Sequence, residues 1–150
     1  MGFTFNRPVA DDSYRYPYRS HFVKHLLIIA LGGGLGAMAR YAASRNIQSL
    51  YNQILPLGTL FVNVAGSFLI GFLFIVFDYA VLSRDTRSFL TIGFLGAFTT
   101  FSTYSLETVN LLRDGECKLA IANLLLNNLV CLVMVITGMA AARLILKAVR

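Results

Sequence analysis

The stretch GFLGAFTTFSTYSLE, residues 93–107, places hydroxyl side chains and aromatic rings together inside an apolar segment. Gly93 and Gly96 open it and Glu107 closes it. A helix that only faces lipid gains nothing from so many hydroxyls, because every polar group in hydrocarbon needs a partner. The two glycines and the hydroxyls, which can bond backbone carbonyls, favour a break in a membrane-spanning helix. Such a break is tolerated only where it packs in protein or lines a cavity.

The rest of the chain predicts a membrane around this stretch. The 150 residues are 57% hydrophobic with a mean hydropathy of +0.67. Three apolar segments each approach or exceed the ~20 residues that cross a hydrocarbon core: 22–43, 57–77 and 119–146. Residues 88–112 form a fourth, less apolar candidate. We therefore predict an all-α membrane protein of four transmembrane helices over 22–150, multi-pass in the cell membrane (plasma or inner membrane). Residues 1–21 are read as a polar cytoplasmic tail without a cleavable signal.

The basic residues sit mostly at the ends of the predicted spans. The net charge of +6 therefore indicates membrane flanks and not a nucleic-acid partner. With both termini on one side, that side holds nine Lys and Arg and the other four, which favours termini inside. Without the three in the tail the count is six against four, so the bias is weak and permits insertion in both orientations. The nine are Arg7, Arg15, Arg19, Lys24, Arg84, Arg87, Arg143, Lys147 and Arg150; the four are Arg40, Arg45, Arg113 and Lys118.

Polar stripes run along the second and fourth spans. Thr59, Asn63, Ser67 and Gly71 recur every four residues in the second, and either a helix–helix contact or a pore lining explains them. In the fourth span Asn123, Asn127 and Cys131 share a face, with Asn128 adjacent. This row has no carboxylate, unlike a proton relay, and offers amide and thiol donors suited to a small anion or water.

Other polar and small residues have less specific interpretations. Gly32 and Gly36 form a GxxxG pair, which favours close helix packing. Arg40 is either a snorkelling flank residue or a charge that holds a neighbouring helix end. Glu107 is either an interfacial residue or a charge held inside. The i, i+4 pair His21 and His25 could bind a metal but is better read as interfacial, and Cys117 and Cys131 form neither a disulfide framework nor a zinc motif.

Three segments together resemble the Fluc (CrcB) family of fluoride channels. They are GGGLGAMAR (32–40), GTLFVNVAGSFLIG (58–71) and GFLGAFTTFSTYSLE (93–107), in that order across the first three spans, and the fourth span matches in its polar spacing. The resemblance implies a fluoride-selective channel for passive fluoride efflux, not an enzyme. It also implies an antiparallel, dual-topology dimer, formed with a second copy or a sister subunit, in which the third helices break at mid-membrane.

The resemblance assigns roles to residues of this chain. The fluoride pathway would use Asn63, the aromatic pair Phe101 and Tyr104, and a polar track of Ser102, Thr103, Asn123, Asn127 and Cys131. A structural Na⁺ at the dimer centre would be held by the backbone carbonyls of Gly96 and Thr99. Glu107 matches a family glutamate at the end of the break. Tyr104 stands where the family usually has a second Phe, so either its ring edge still serves or its hydroxyl adds a donor.

Other classes fit the sequence less well. Small multidrug exporters have four short spans and dual topology, but they carry a Glu in the first span, and this first span has no acid. A subunit that only packs helices explains the glycines but not three polar stripes. An intramembrane enzyme needs a nucleophile and base at mid-membrane, and no such pair can be placed.

Overall fold

The computed structural model describes residues 16–51, 53–80 and 82–148, and every regular element in these ranges is helical. The elements are α1 (Tyr16–Tyr51), α2 (Leu57–Tyr79), α3 (Arg84–Ser88), the π-helix π1 (Phe89–Leu95), α4 (Gly96–Phe98), α5 (Phe101–Arg113), α6 (Cys117–Leu125), the π-helix π2 (Leu126–Val130) and α7 (Cys131–Ala148). They form four segments long and apolar enough to cross a membrane: His21–Tyr51, Leu57–Tyr79, Arg84–Arg113 and Cys117–Ala148. The predicted four-span, all-α architecture is confirmed.

The first helix is longer than the predicted span at both ends. It begins at Tyr16, inside the segment read as a tail, and the rest of that tail (1–15) lies outside the described residues. At the other end it continues past residue 43 to Tyr51, where polar side chains support it. The Ser44 hydroxyl donates to the Arg40 carbonyl at 2.7 Å, and the Gln48 side chain accepts from Gly58 N–H at 3.1 Å. The predicted span ended at residue 43 because the hydropathy of the chain falls there, several residues before α1 ends.

The third span is broken within the predicted stretch, and the break follows the two glycines. Thr99 (φ −85°, ψ 159°) and Thr100 (φ −150°, ψ 118°) have extended backbone between α4 and α5. Gly96 is helical (φ −61°, ψ −34°) and Gly93 lies within π1. β-Branched threonine suits extended backbone, and the Thr100 hydroxyl accepts from Thr103 N–H at 3.2 Å as the N-cap of α5.

Glycines instead allow the helices to approach closely. A Cβ added at Gly36 would overlap the Phe94 carbonyl, and one added at Gly93 would lie 3.0 Å from Gly32 Cα. This confirms the close-packing interpretation of the Gly32 and Gly36 pair, with π1 as its partner. Gly71 and Gly138 play the same part where α2 packs against α7, which is the most extensive helix contact in the described chain.

Charged side chains fasten the ends of the spans. Asp85 joins the start of the third span to α1 through Lys24 Nζ at 2.9 Å and His25 Nδ1 at 3.0 Å. Arg87 donates to the Phe77 carbonyl at the end of α2. His25 thus contacts Asp85 across two spans. Among the described residues, no three His, Cys, Asp or Glu side chains are grouped so that they could hold a metal ion.

We predict that Gly36→Ala weakens the fold, because its methyl group must displace the Phe94 backbone. Overpacking of this kind costs about 1–3 kcal/mol. Thermal unfolding in detergent, followed by circular dichroism, measures the loss. Gly34→Ala is the matched control, since a Cβ there meets nothing within 4 Å. Equal melting temperatures for the two variants would contradict the close approach.

Candidate ion pathway

The break in the third span is held by one side chain from α2. Asn63 Oδ1 accepts from Thr100 N–H at 2.8 Å, and Asn63 Nδ2 donates to the Thr100 carbonyl at 3.1 Å. In an unbroken helix the Thr100 N–H would donate to the carbonyl of Gly96, four residues earlier. The amide of Asn63 therefore replaces the helical hydrogen bond of the Thr100 N–H at a depth where water is scarce.

The break also releases backbone carbonyls. Because Thr100 N–H donates to Asn63 and Thr103 N–H donates to the Thr100 hydroxyl, the carbonyls of Gly96 and Thr99 lose their helical donors. The Thr99 hydroxyl donates back to the Leu95 carbonyl at 3.1 Å. The carbonyls of Gly96 and Thr99, which the family resemblance assigned to a cation, are thus among those that the break sets free.

A chain of amides connects the break to the fourth span. Asn63 Nδ2 donates to Asn127 Oδ1 at 2.9 Å, Asn127 Nδ2 donates to Asn123 Oδ1 at 2.9 Å, and Asn123 Nδ2 donates to Thr108 Oγ1 at 2.8 Å. Asn123 is only 1% exposed. A buried amide without a partner is costly in lipid, so this network ties three spans together at one level.

A cavity of about 350 Å³ opens beside the break. It brings together residues of the second, third and fourth spans. Most of the predicted site borders it: Asn63, Gly96, Thr99, Phe101, Tyr104, Asn127 and Cys131, together with Gly66, Ser67, Ile70, Thr91, Leu95, Thr100 and Asn128.

A second cavity, of about 230 Å³, shares one lining residue with the first, Thr100. It also borders Arg40, Thr59 and Thr103. Both cavities therefore border the break at Thr100, and irregular backbone at membrane depth is tolerated where it lines a cavity.

The aromatic pair stands at the first cavity in an edge-to-face arrangement. The ring centroids of Phe101 and Tyr104 are 5.3 Å apart and their planes cross at 69°. Tyr104 is 4% exposed, whereas Phe101 is 76% exposed on the surface of the chain. The Tyr104 hydroxyl accepts from Asn128 Nδ2 at 2.9 Å. The two rings and the Tyr104 hydroxyl with its Asn128 partner therefore belong to residues that line the first cavity.

Glu107 is held inside the protein. Its Oε1 accepts from the Thr59 hydroxyl at 2.8 Å, while Oε2 is buried without a hydrogen-bond partner among the described residues. Of the two interpretations that the sequence left open for Glu107, these contacts favour the charge held inside. Arg40 lies half-buried beside the second cavity, and within the described chain it makes no ion pair.

Three residues predicted for the fluoride pathway do not line the first cavity. Asn123 lines neither cavity and lies behind Asn127. Ser102 is exposed, with its hydroxyl 3.3 Å from that of Thr100, and also lines neither cavity. Thr103 borders only the second.

Ser67 and Asn128 line the first cavity, although neither was among the residues assigned to the fluoride pathway. Ser67 stands in the stripe of the second span for which helix contact and pore lining both stayed open, so its spacing pointed to it. Asn128 stands beside the row of the fourth span and, like Asn127, lies in π2. Neighbouring residues lie about 100° apart around a helix, so spacing alone did not show that the two share a cavity.

Comparison with known proteins gives a consistent match. The family model described as CrcB-like protein, Camphor Resistance (CrcB), matches residues 27–139. A protein of Magnetococcus marinus named fluoride-specific ion channel FluC is 42% identical over 118 residues, covering 78% of this chain and 96% of its own. A protein of the same name from Shewanella baltica is 42% identical over 116 residues, covering 77% and 94%. One from Methylococcus capsulatus is 44% identical over 119 residues, covering 79% of this chain and 52% of its own.

We predict that Asn63→Leu destabilises the protein, because it leaves the buried Thr100 N–H without a partner and removes one of the donors to the Thr100 carbonyl. An unsatisfied buried group costs about 1–3 kcal/mol. Thermal unfolding in detergent measures the effect. Asn110→Leu, on the exposed face of α5, makes the same chemical change and should leave stability within error. If both variants unfold at the same temperature, Asn63 does not hold the break.

Proposed function

The chain belongs to the CrcB family, and we propose that it is a fluoride-selective channel that lets fluoride leave the cytoplasm passively. It is a multi-pass protein of the cell membrane. The observation that carries the proposal is the break at Thr99 and Thr100, where Asn63 and the aromatic pair line one cavity.

Selectivity for fluoride has a physical basis in such a site. Fluoride is small and strongly hydrated, so a pore must replace its water with compact donors. Hydroxyls, amides, a thiol and positively polarised ring edges are donors of this kind. A larger anion needs a wider opening. Hydrofluoric acid enters cells neutral from acid surroundings and ionises inside, so a passive exit for the anion keeps the internal concentration low.

The pathway proposed here runs along the residues implied by the family resemblance. The first cavity is lined by Cys131, Asn127 and Asn63 together with Phe101 and Tyr104. Past Thr100, the second cavity continues with Thr103 and Arg40. Ser102 and Asn123 support the track through Thr100 and Asn127. Glu107 holds Thr59 at the second cavity.

We further propose a structural Na⁺ on the carbonyls of Gly96 and Thr99. Both carbonyls are released by the break and carry no formal charge, as suits a monovalent cation held by backbone oxygens. The ion would supply positive charge near the anion path and is not transported. Two carbonyls are too few to replace the hydration shell of a cation.

A second copy of the chain supplies the missing ligands. An antiparallel dimer, with its two-fold axis in the membrane plane, doubles the set of carbonyls at the centre. The exposed positions of Gly96 and Phe101 on the surface of the single chain support this interface. The weak charge bias permits both orientations, and a sister subunit could take the place of the second copy.

We predict that liposomes containing the purified protein release fluoride but not chloride, without a pH gradient, as measured with ion-selective electrodes. Phe101→Ile should abolish fluoride flux and leave the dimer intact on size exclusion, because it removes one ring edge from the cavity. Phe74→Ile, at an exposed position of α2, is the matched control and should conduct normally. Chloride release, drug-coupled proton movement, or normal flux through Phe101→Ile would each contradict the assignment.

We predict that replacing Na⁺ by N-methyl-D-glucamine throughout purification lowers the dimer fraction, measured by light scattering, and lowers fluoride flux in parallel. The reason is that the carbonyls of Gly96 and Thr99 would repel one another without a cation. Re-addition of Na⁺ should restore both quantities. An unchanged dimer and unchanged flux in sodium-free buffer would rule out the structural ion.

A further inference from the structure

The amides at the first cavity are already used within the protein. Asn63 Nδ2 donates to Thr100 O and Asn127 Oδ1. Asn127 Nδ2 donates to both oxygens of Asn123, the carbonyl and Oδ1. Asn128 Nδ2 donates to Leu124 O and to the Tyr104 hydroxyl. Each of the three nitrogens thus has two protein acceptors, which matches the two protons that an amide can donate.

Most hydroxyl groups at the first cavity also donate hydrogen bonds within the protein. Thr91 and Thr99 donate to carbonyls one turn earlier, and Thr100 donates to Thr103 Oγ1 at 3.0 Å. Within the described chain, Ser67 and Cys131 make no hydrogen bond, so their protons are available. The remaining donor is the hydroxyl of Tyr104.

The contact with Asn128 fixes which way the Tyr104 hydroxyl can donate. The carbonyl of Leu124 only accepts, so the Asn128 atom that lies 2.8 Å from it must be the nitrogen. That same nitrogen is 2.9 Å from the Tyr104 oxygen, which therefore accepts there. The phenol proton cannot point at Asn128. Tyr104 and Asn128 both line the first cavity, and the proton has that space in which to donate.

We propose that Asn128 is a positioning residue that turns the phenol proton of Tyr104 into the first cavity, where it donates a hydrogen bond to fluoride. The inference rests on the proposed function and adds a donor, besides the ring edge, that phenylalanine cannot provide. A hydrogen bond to a charged group contributes about ten- to hundred-fold in an equilibrium or rate.

The test compares fluoride efflux from liposomes for Tyr104→Phe, Asn128→Leu and the double variant. Each single change should lower flux about ten- to hundred-fold, and the double variant should lose no more than the larger single loss, because both changes remove one donor. Tyr51→Phe and Asn110→Leu are matched controls on exposed side chains and should conduct like the wild type. Elution of the dimer on size exclusion checks that every variant folds.

A second measurement does not depend on transport. Fluoride added to the wild-type protein in detergent should produce a tyrosine difference spectrum in the ultraviolet. Tyr104→Phe should abolish it and Asn128→Leu should diminish it, which a purely structural role for Asn128 would not do. Chloride should produce none.

The outcomes separate the inference from the proposed function. A wild type that conducts no fluoride refutes the function, and the spectrum still decides whether Tyr104 meets the ion. Normal flux through Tyr104→Phe overturns the inference alone. Additive losses in the double variant, or no fluoride-dependent spectrum in the wild type, overturn it as well.

Discussion

The pairing of the Asn63 side chain with the backbone of Thr100 is the interaction on which the rest of the site depends. A broken helix within a bilayer exposes N–H and C=O groups that no water can satisfy. One amide satisfies both groups of Thr100, at 2.8 and 3.1 Å, and its remaining proton reaches Asn127. Without this pairing the chain would gain by closing the break into a continuous helix.

Close packing of small residues keeps the break in place. The third span lies against α1 through Gly32, Gly36 and Gly93, and α2 lies against α7 through Gly71 and Gly138. Helices in lipid gain little from the hydrophobic effect between them, so such close contacts and buried polar networks provide the association. The amide chain from Asn63 to Thr108 then aligns three spans at the depth of the cavity. These hydrogen bonds stabilise the fold, and they also occupy most of the side-chain N–H and O–H donors at the first cavity.

The four spans and the existence of the break were predictable, because hydropathy and the accumulation of hydroxyls are local properties of the chain. The break also lies inside the predicted stretch, at Thr99 and Thr100. What the sequence did not show is the part played by Gly93, which lies within π1 and packs closely against α1, a partner helix that the local sequence does not contain. Helical spacing predicted that Asn123, Asn127 and Cys131 share a face, whereas only the family resemblance placed Asn63 in the same site. The structure brings Asn63, Asn127, Asn128 and Cys131 to one cavity.

By itself, the sequence determined what crosses the membrane and which side chains are too polar to face lipid, since both follow from the transfer free energy of each residue. Only the tertiary structure decided how those side chains divide their hydrogen bonds. Asn123 proved to be a buried support, and Ser67 a lining residue that makes no hydrogen bond within the described chain, although both stand in polar stripes. Whether a donor is used or available depends on its neighbours from other helices, and spacing along one helix carries no information about them.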